Sequence, residues 1–325
     1  MDFLKLEKKF ASFVRTDGCV SVNTGTAALH VALEALQLPA GSKVIVPDFT
    51  MYASALAVYY ARLTPVFVDC DENLLINLDK VEEVIDKDTK VLMVTHVYGR
   101  LVNMERVMSI AKRYNLRVIE DACEAHGAFQ SNKMAGSYDI GCFSFYKNKI
   151  ICAEEGGAVT SNDKNFLNIV RDMKSMSFGV THDYYHKIIG FNYRMTNSQA
   201  REISCSLSKV EENIKKREVM KNYYNSCFGS QNKMPNNRVV VWVYDMKHHN
   251  ANLVTKELKR RGINARHSFK PMTMQPLFKE NVCNVGTNSL YYSKNVFYIH
   301  LDVLDTEKEL DRKQQIIKKV IKSCD

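Results

Sequence analysis

Residues 118–160 read VIEDACEAHGAFQSNKMAGSYDIGCFSFYKNKIICAEEGGAVT, and they contain four features that together predict a binding site. An apolar run ends at Asp121, and a second acid, Glu124, follows three residues later. Lys149 lies further on, in a loop of aromatic and polar residues, and a glycine pair follows at 156–157. Each of these residues is common in loops and caps, so the prediction of a site depends on their order and spacing.

The combination of acid and lysine indicates a flat aromatic cofactor. Asp121 can pair with a protonated ring nitrogen, and Lys149 can bind an aldehyde covalently. Together these two functions describe pyridoxal 5′-phosphate (PLP), whose ring acts as an electron sink while the protein supplies binding and electrostatics.

Strand-like and helix-like patterns alternate through the first half of the chain. Apolar runs of strand length occur at 43–47, 65–69, 91–97 and 116–120, and helical spacing occurs at 78–85 and 104–114. This alternation predicts a parallel sheet wrapped by helices, which binds ligands at the carboxyl ends of its strands. No G-x-G-x-x-G follows the first strand, which disfavours NAD.

A second candidate binding segment is the turn Thr24-Gly25-Thr26-Ala27, which follows a short extended run and opens a helical pattern. Free backbone N–H groups and the helix dipole favour an anion at such a turn. The turn therefore predicts a phosphate site, although many similar turns only cap a helix.

Several segments together resemble the DegT/DnrJ/EryC1/StrS family of PLP-dependent sugar aminotransferases. IEDA at 119–122, EAHG at 124–127, FSF at 143–145 with Lys149, and EGG at 155–157 match in order. GFNYRMTNSQ at 190–199 and GINARHSFKPMTMQPLF at 262–278 are similar to further family segments. The resemblance covers about residues 6–322, and within the family it is strongest to the perosamine-synthase type.

The resemblance implies a set of site residues. The cofactor-binding residues that it implies are Lys149, Asp121, Glu124, Gly25, Thr26, Ala27, Met51, Ser144 and, from the partner subunit, Asn192. Lys149 would carry PLP and move the reacting proton, and Asp121 would keep the ring nitrogen protonated. Met51 stands where the family usually has a stacking aromatic residue, with Tyr52 beside it.

The resemblance also implies the fold and the reaction. It predicts PLP-dependent fold type I, an α/β architecture with a mostly parallel seven-stranded sheet in a large domain at 1–205. A small C-terminal α+β domain would occupy 206–325, joined by a long helix at about 198–222 and including a strand at 239–244. The predicted homodimer would move an amino group, with glutamate as donor, to C4 of a nucleotide-linked keto-deoxysugar.

Composition and charge limit the classes of binding partner and the cellular location that we expect. The 325 residues carry a net charge of +9, divided between −1 at residues 1–205 and +10 at residues 206–325. No helix-turn-helix, zinc-finger or RNA-binding motif accompanies the basic third, so we expect a solvated surface or an anionic small substrate and no nucleic acid. The absence of a signal-like N-terminus, of an apolar run of roughly 18 residues and of a CxxC motif predicts a cytoplasmic protein without a membrane span.

Three other functions are compatible with parts of the sequence. A catalytically silent homologue with a structural or regulatory role is compatible with Met51 and with the lack of a further N-terminal segment that the family often has. Another PLP enzyme acting on a nucleotide sugar is a second alternative, although Lys149 opposes the 3-dehydratases of this fold, which carry His at that position. Only the basic third favours a nucleic-acid-binding protein.

Overall fold

A computed structural model describes residues 1–178, 184–229, 239–281 and 286–325. The strands are β1 (Gly18–Val22), β2 (Lys43–Pro47), β3 (Thr64–Val68), β4 (Thr89–Thr95), β5 (Arg117–Asp121), β6 (Phe129–Gln130), β7 (Lys133–Met134), β8 (Ile140–Ser144), β9 (Gly157–Ser161), β10 (Val243–Lys247), β11 (Ala265–His267) and β12 (Val296–His300). The α-helices are α1 (Asp2–Val14), α2 (Gly25–Ala35), α3 (Tyr52–Tyr60), α4 (Leu78–Val81), α5 (Met104–Tyr114), α6 (Lys164–Met173), α7 (Asn197–Ser208), α8 (Val210–Phe228), α9 (Ala251–Arg260), α10 (Thr287–Asn295) and α11 (Glu307–Cys324).

A seven-stranded sheet organises the first half of the chain, in the order β1-β9-β8-β5-β4-β2-β3. β9 runs antiparallel to both of its neighbours, and all other neighbouring strands are parallel. This arrangement confirms the predicted mostly parallel sheet of seven strands. Parallel strands end at one edge, and the register places Thr95, the last residue of β4, beside Asp121, the last residue of β5.

Helices cover both faces of this sheet. Side chains of α1, α5 and α7 belong to the apolar cluster on one face, and those of α2, α3 and α6 belong to the cluster on the other. Strands that are buried on both faces appear in sequence as continuous apolar runs, which explains why the runs at 91–97 and 116–120 were readable as strands. Among the described residues, no helix has both the length and the apolarity that a membrane crossing requires.

Local capping sets the limits of individual helices, as α5 illustrates. The Asn103 side chain accepts a hydrogen bond from the Arg106 N–H at 3.1 Å, which satisfies one of the free donors at the helix start. Asn115 ends the helix in the left-handed region, with a φ of 54°. Because asparagine tolerates this conformation better than most residues, α5 stops where the sequence predicted it to stop.

The second half contains an antiparallel three-stranded sheet, in the order β10-β12-β11. Helices α8, α9 and α11 pack on it around a core that includes Tyr224, Phe297 and Ile317. The predicted α+β character of this region is therefore confirmed, whereas the division between residues 205 and 206 stays a prediction.

Three predicted elements differ from the observed ones. The helix at 198–222 is two helices, because Lys209 has a φ of −106° and a ψ of 7° and breaks it. The break lets α7 pack Ala200 and Ile203 into the first core while α8 packs Tyr224 into the second. The strand at 239–244 begins only at Val243, and the helix at 78–85 is α4 followed by a 3-10 turn at Glu82–Val84.

A buried ion pair connects the two halves. The Arg100 Nη2 atom, in the loop after β4, lies 2.8 Å from both carboxylate oxygens of Asp245 in β10. The exposed fractions of these side chains are only 3% and 9%. Removing one partner of a buried pair leaves an uncompensated charge in the protein interior.

We predict that Asp245→Ala lowers the free energy of unfolding by about 3–5 kcal/mol, because the buried Arg100 guanidinium loses its counter-charge. Urea denaturation of both proteins measures this difference. Asp79→Ala is the control, because it removes an ion pair with Arg106 whose side chains are 79% and 44% exposed. The control should cost at most about 1 kcal/mol, and equal costs for the two variants would contradict the prediction.

Candidate active site

A cavity of about 450 Å³ lies at the carboxyl edge of the large sheet. It contains most of the residues that were predicted from sequence to bind a cofactor: Gly25, Thr26, Met51, Asp121, Glu124, Ser144 and Lys149 all line it. Ala27 and Asn192 are not part of its lining. The second half of the chain adds lining residues that the sequence analysis did not assign to the site, namely Trp242, Arg266, Phe269 and Tyr298.

The Asp121 carboxylate is held in one orientation by two hydrogen bonds, one to each oxygen. The Ser54 hydroxyl donates to Oδ2 at 2.7 Å, and the Cys123 N–H donates to Oδ1 at 3.2 Å. Ser54 is in turn 3.2 Å from the Thr50 hydroxyl, which lies 2.9 Å from that of Thr95. The sequence analysis did not predict this network. The only sequence signal for it is the i, i+4 spacing of Thr50 and Ser54 at the start of a helix, which places both hydroxyl groups on one side.

The Lys149 ammonium lies between a carboxylate and an indole ring. Its Nζ atom is 3.5 Å from Oε1 of Glu124 and 3.9 Å from the centre of the Trp242 ring. The other carboxylate oxygen of Glu124 accepts the Tyr98 N–H at 2.8 Å, and the Trp242 indole N–H donates to the Asn148 carbonyl at 2.8 Å. These contacts hold the lysine at the cavity wall, with a side chain that is only 11% exposed.

Opposing influences act on the pKa of the Glu124 carboxyl group. Burial raises the pKa of this carboxyl above its ordinary value. The positive charge of Lys149 and the hydrogen bond from the Tyr98 N–H oppose the shift. Glu124 is therefore a carboxyl group that can accept a proton within reach of the lysine.

The turn before α2 forms another part of the cavity wall. The Thr24 side chain caps α2 by accepting the Ala27 N–H at 3.1 Å. The N–H of Ala27, which the resemblance implies as a cofactor-binding residue, thus points to the Thr24 cap, while Gly25 and Thr26 line the cavity. A Cβ atom on Gly25 would lie 2.6 Å from the Ser144 Cβ, so glycine is required for the helix start to approach the end of β8.

Two adjacent residues that were considered as the stacking residue have different environments. Met51 lines the cavity and is 51% exposed, so it is not part of the core. Tyr52 instead packs against Phe278, with ring centres 5.8 Å apart. Of the two, Met51 is the side chain that is placed to meet a flat ligand, and a thioether packs well against an aromatic ring.

Asn192 lies on the surface, outside the cavity. Its backbone pairs with Ser175, and both Asn192 and Arg194 are exposed. His186 also lies outside the cavity, with its Nδ1 atom 2.7 Å from the Met176 carbonyl. A contribution of Asn192 to the site of a partner subunit stays a prediction.

Two polar residues of the 118–160 stretch are buried inside the protein and do not line the cavity. Glu120 accepts the Gly136 and Tyr138 N–H groups at 2.8 and 2.9 Å and lies 3.1 Å from Nε2 of His96. His126 is fully buried, and neither of its ring nitrogens makes a hydrogen bond of normal geometry with a described residue. Burial and the nearby positive charge of Lys149 lower the pKa of His126 to about 3.

The residues at this cavity fit PLP. A buried carboxylate at Asp121 suits a protonated pyridine nitrogen, and the Lys149 amine suits the aldehyde. The turn at Gly25 and Thr26 opens a helix, where backbone donors and the dipole favour a phosphate. The three functions surround one cavity whose volume is within the usual range for small-molecule sites.

Comparison with known proteins agrees with this chemistry. The model of the DegT/DnrJ/EryC1/StrS aminotransferase family matches residues 2–320. The chain belongs to this family. Family membership also accounts for the order of the matched segments along almost the whole sequence.

Individual relatives include sugar-nucleotide enzymes. The chain is 38% identical to the GDP-perosamine synthase of Caulobacter vibrioides over 288 residues, 84% of this chain and 77% of that protein. It is 39% identical to the dTDP-3-amino-3,6-dideoxy-alpha-D-galactopyranose transaminase of Aneurinibacillus thermoaerophilus over 225 residues, 67% of this chain and 60% of that protein. Its structure superposes on DesV of S. venezuelae, solved in complex with a ketimine intermediate, with a TM-score of 0.91 and 25% identity, covering 98% of this chain and 89% of that one.

The environment of His126 predicts an acid-sensitive fold. Because its pKa is depressed in the folded state, this residue costs stability as pH falls from about 6.5, its unfolded pKa, towards 3. We expect His126→Phe, which places an apolar ring beside Phe10, Phe143 and Phe145, to remove roughly 1 kcal/mol per pH unit of this loss.

Urea unfolding at pH 6, 5 and 4 tests this expectation. The exposed His249, changed in the same way to phenylalanine, is the control and should leave the pH dependence unchanged. Parallel stability curves for the wild-type and His126→Phe proteins would show that His126 is not buried in its neutral form.

Proposed function

We propose that this protein is a PLP-dependent aminotransferase that transfers an amino group from an amino acid to a nucleotide-linked keto-deoxysugar. The observation that carries the proposal is the convergence of Lys149, Asp121 and the turn at Gly25 on one cavity. The relatives that are named for amino sugars on GDP and dTDP support the substrate class. Bound PLP would supply an electron sink for the carbanion that forms when a C–H bond of the donor breaks.

Lys149 has two roles in this proposal. It would hold the cofactor, and its free amine would take up the proton that leaves the α-carbon of the donor and deliver it to the reacting carbon of the cofactor. General acid–base catalysis requires the proton-carrying atom to lie within hydrogen-bond reach of the reacting carbon. The Trp242 face and the Glu124 carboxylate keep the Lys149 Nζ atom at the cavity wall. Fewer positions of the amine are then accessible, and those near the reacting carbon are favoured.

Asp121 would bind the ring nitrogen and keep it protonated. Its carboxylate is 4% exposed, and the hydrogen bonds from Ser54 and Cys123 fix its plane. A fixed charge costs no reorganisation when negative charge develops in the substrate. Glu124 would meet the oxygen-bearing side of the ring, and the turn at Gly25 and Thr26, with Ser144, would bind the phosphate.

The finer assignments rest on the resemblance in sequence. Glutamate as donor and C4 as the acceptor carbon follow from the similarity of several segments to the perosamine-synthase type. We also place the protein in the cytoplasm, since the eight cysteines in the described part of the chain are all free, as is usual in reducing compartments.

An amino-transfer assay tests the function. Purified protein, PLP and glutamate are incubated with GDP-, dTDP- and UDP-linked 4-keto-6-deoxyhexoses, and mass spectrometry detects the amino sugar. We expect transfer to at least one acceptor, no transfer with Lys149→Ala, and a rate lower by orders of magnitude with Asp121→Asn, which keeps PLP bound. Exposed Lys112, changed to alanine, should retain normal turnover.

Borohydride provides an independent check of the lysine, since it should fix PLP on the peptide at Lys149 and not on Lys147. Protein that binds PLP but converts none of the acceptors, with glutamate or with other amino donors, would favour a catalytically silent homologue and contradict the proposal.

We further propose that two subunits share each active site, with Asn192 binding the cofactor phosphate of its partner. Exposed apolar side chains at Met51, Tyr59, Tyr60 and Ile189 are of the kind that a protein–protein interface covers, which supports this proposal. A dianionic phosphate also needs more donors than one helix start supplies.

Mixed dimers of Lys149→Ala and Asn192→Ala test the sharing of sites. Each mixed dimer would combine both defects in one site and neither in the other, so we expect activity to exceed that of either variant alone. Subunit exchange is verified by mass spectrometry of differently tagged chains. Exchange without recovered activity, or a fully active monomer, would contradict the shared site.

A further inference from the structure

A second cavity, of about 670 Å³, lies between the two halves of the chain. The loop after β8, helix α8 and the segment that follows β12 surround it. Four lining residues belong to both this cavity and the one described above: Tyr146, Asn148, Lys149 and Arg266. Nothing in the proposed transfer chemistry uses its remaining walls.

Three buried polar groups in its lining lack partners. The Nε atom of Arg217, the Nε2 atom of His300 and the Oδ1 atom of Asn148 make no hydrogen bond with a described residue. Among the described residues, the Arg217 guanidinium makes one hydrogen bond, from Nη1 to the Trp242 carbonyl at 2.7 Å. Burying unsatisfied polar groups is costly, so a cluster of them around one space indicates that a ligand completes their hydrogen bonding.

The lining is strongly positive. Its described lining residues include five lysine and arginine side chains but a single acidic one, Asp302. Lys313 is paired with Asp305 and Lys149 with Glu124, whereas neither Arg217 nor Arg266 forms an ion pair with a described carboxylate.

Two pKa shifts agree with this arrangement. Burial lowers the pKa of Arg217 to about 10. Burial, and then the charges of Arg266, Arg217 and Lys149, lower the pKa of His300 to about 4. An anion would therefore relieve repulsion among neighbouring cations.

The rest of the lining is apolar and matches a ligand larger than a simple ion. Ile263, Ile299, Leu301 and Tyr224 contribute to it. Pockets of roughly 300–1,000 Å³ accept drug-sized molecules, so the cavity has room for a nucleoside as well as its phosphates. Planar guanidinium groups recognise phosphate oxygens through paired hydrogen bonds.

We propose that this cavity binds the phosphoryl groups of a nucleotide-sized anion through Arg217, His300 and Arg266. Two sources share this chemistry. One is the diphosphate of the sugar nucleotide itself, with its sugar directed past Lys149 into the first cavity, and this version rests on the proposed function. The other is a free nucleoside diphosphate, and this version does not.

Trp242 is the only tryptophan in the chain; it lines the first cavity and contacts Arg217 and His300 of the second, so its emission is sensitive to both. Its carbonyl accepts the Arg217 hydrogen bond, and its ring centre lies 6.0 Å from that of His300. The emission of Trp242 in PLP-loaded protein is therefore titrated with inorganic pyrophosphate, with GDP and with a GDP-linked sugar. We expect a saturable change with at least one of these probes.

Variants identify the site. Arg217→Gln, His300→Leu and Arg266→Gln should each weaken the bound probe roughly tenfold or more, since each removes a charge or a hydrogen-bond donor. Arg217 is buried, so the other two variants, at half-buried His300 and exposed Arg266, keep the test independent of folding. Arg312→Gln is the matched control, because exposed Arg312 adjoins Lys313 in α11 but does not line the cavity, and it should change affinity less than twofold.

The pattern of binding distinguishes the sources. Binding of pyrophosphate or GDP, lost in the three variants, supports a site for a free phosphate compound. Binding of the sugar nucleotide alone, lost in the same variants, supports the substrate version. No saturable change in the wild type, or equal affinities in all proteins, would overturn the site, and amino transfer by that same protein would leave the proposed function standing.

Discussion

A nearly buried ammonium group determines much of the organisation of this protein. Lys149 can remain at the cavity wall only because Glu124 supplies a counter-charge and Trp242 supplies an aromatic face. These contacts come from different parts of the chain, since Glu124 follows β5 and Trp242 precedes β10. The site therefore exists only when both halves are folded against each other, and the central sheet, the small sheet and the loop at Asn148 all contribute to positioning one amine.

The sheet and the centre of the site were predictable because their signals are local. Buried strands appear as continuous apolar runs, and Asp121, Glu124 and Lys149 lie within one short stretch. Trp242, Arg266 and the Ser54 hydroxyl approach the same cavity from distant segments, and no short-range pattern carries that information. The break at Lys209 was missed for a related reason, since helix propensity continues through it and tertiary packing of α7 and α8 overrides it. Ala27, which the resemblance implies as a cofactor-binding residue, donates its N–H to the Thr24 side chain in this structure, and its contact with a phosphate stays a prediction.

The two cavities differ in how their polar groups are satisfied. Around Asp121, hydroxyl and backbone donors form a closed network that holds the carboxylate without help from a ligand. Around Arg217 and His300, donors are left without partners in the described structure. The first arrangement suits the proposed amino transfer, because its charges would not need to move during reaction. The second suits the proposed binding of an anion, because a bound molecule would complete its hydrogen bonding.

The buried pair of Arg100 and Asp245 also affects how the molecule unfolds. The guanidinium group comes from one half and the carboxylate from the other, and both are nearly buried. Burial of either charge without its partner is unfavourable. Partial unfolding of the small sheet would leave Arg100 without its counter-charge. Detachment of the large sheet would do the same to Asp245. Loss of either half thus penalises the other, so the two sheets gain cooperativity and melt together, and neither is suited to independent expression as an isolated fragment.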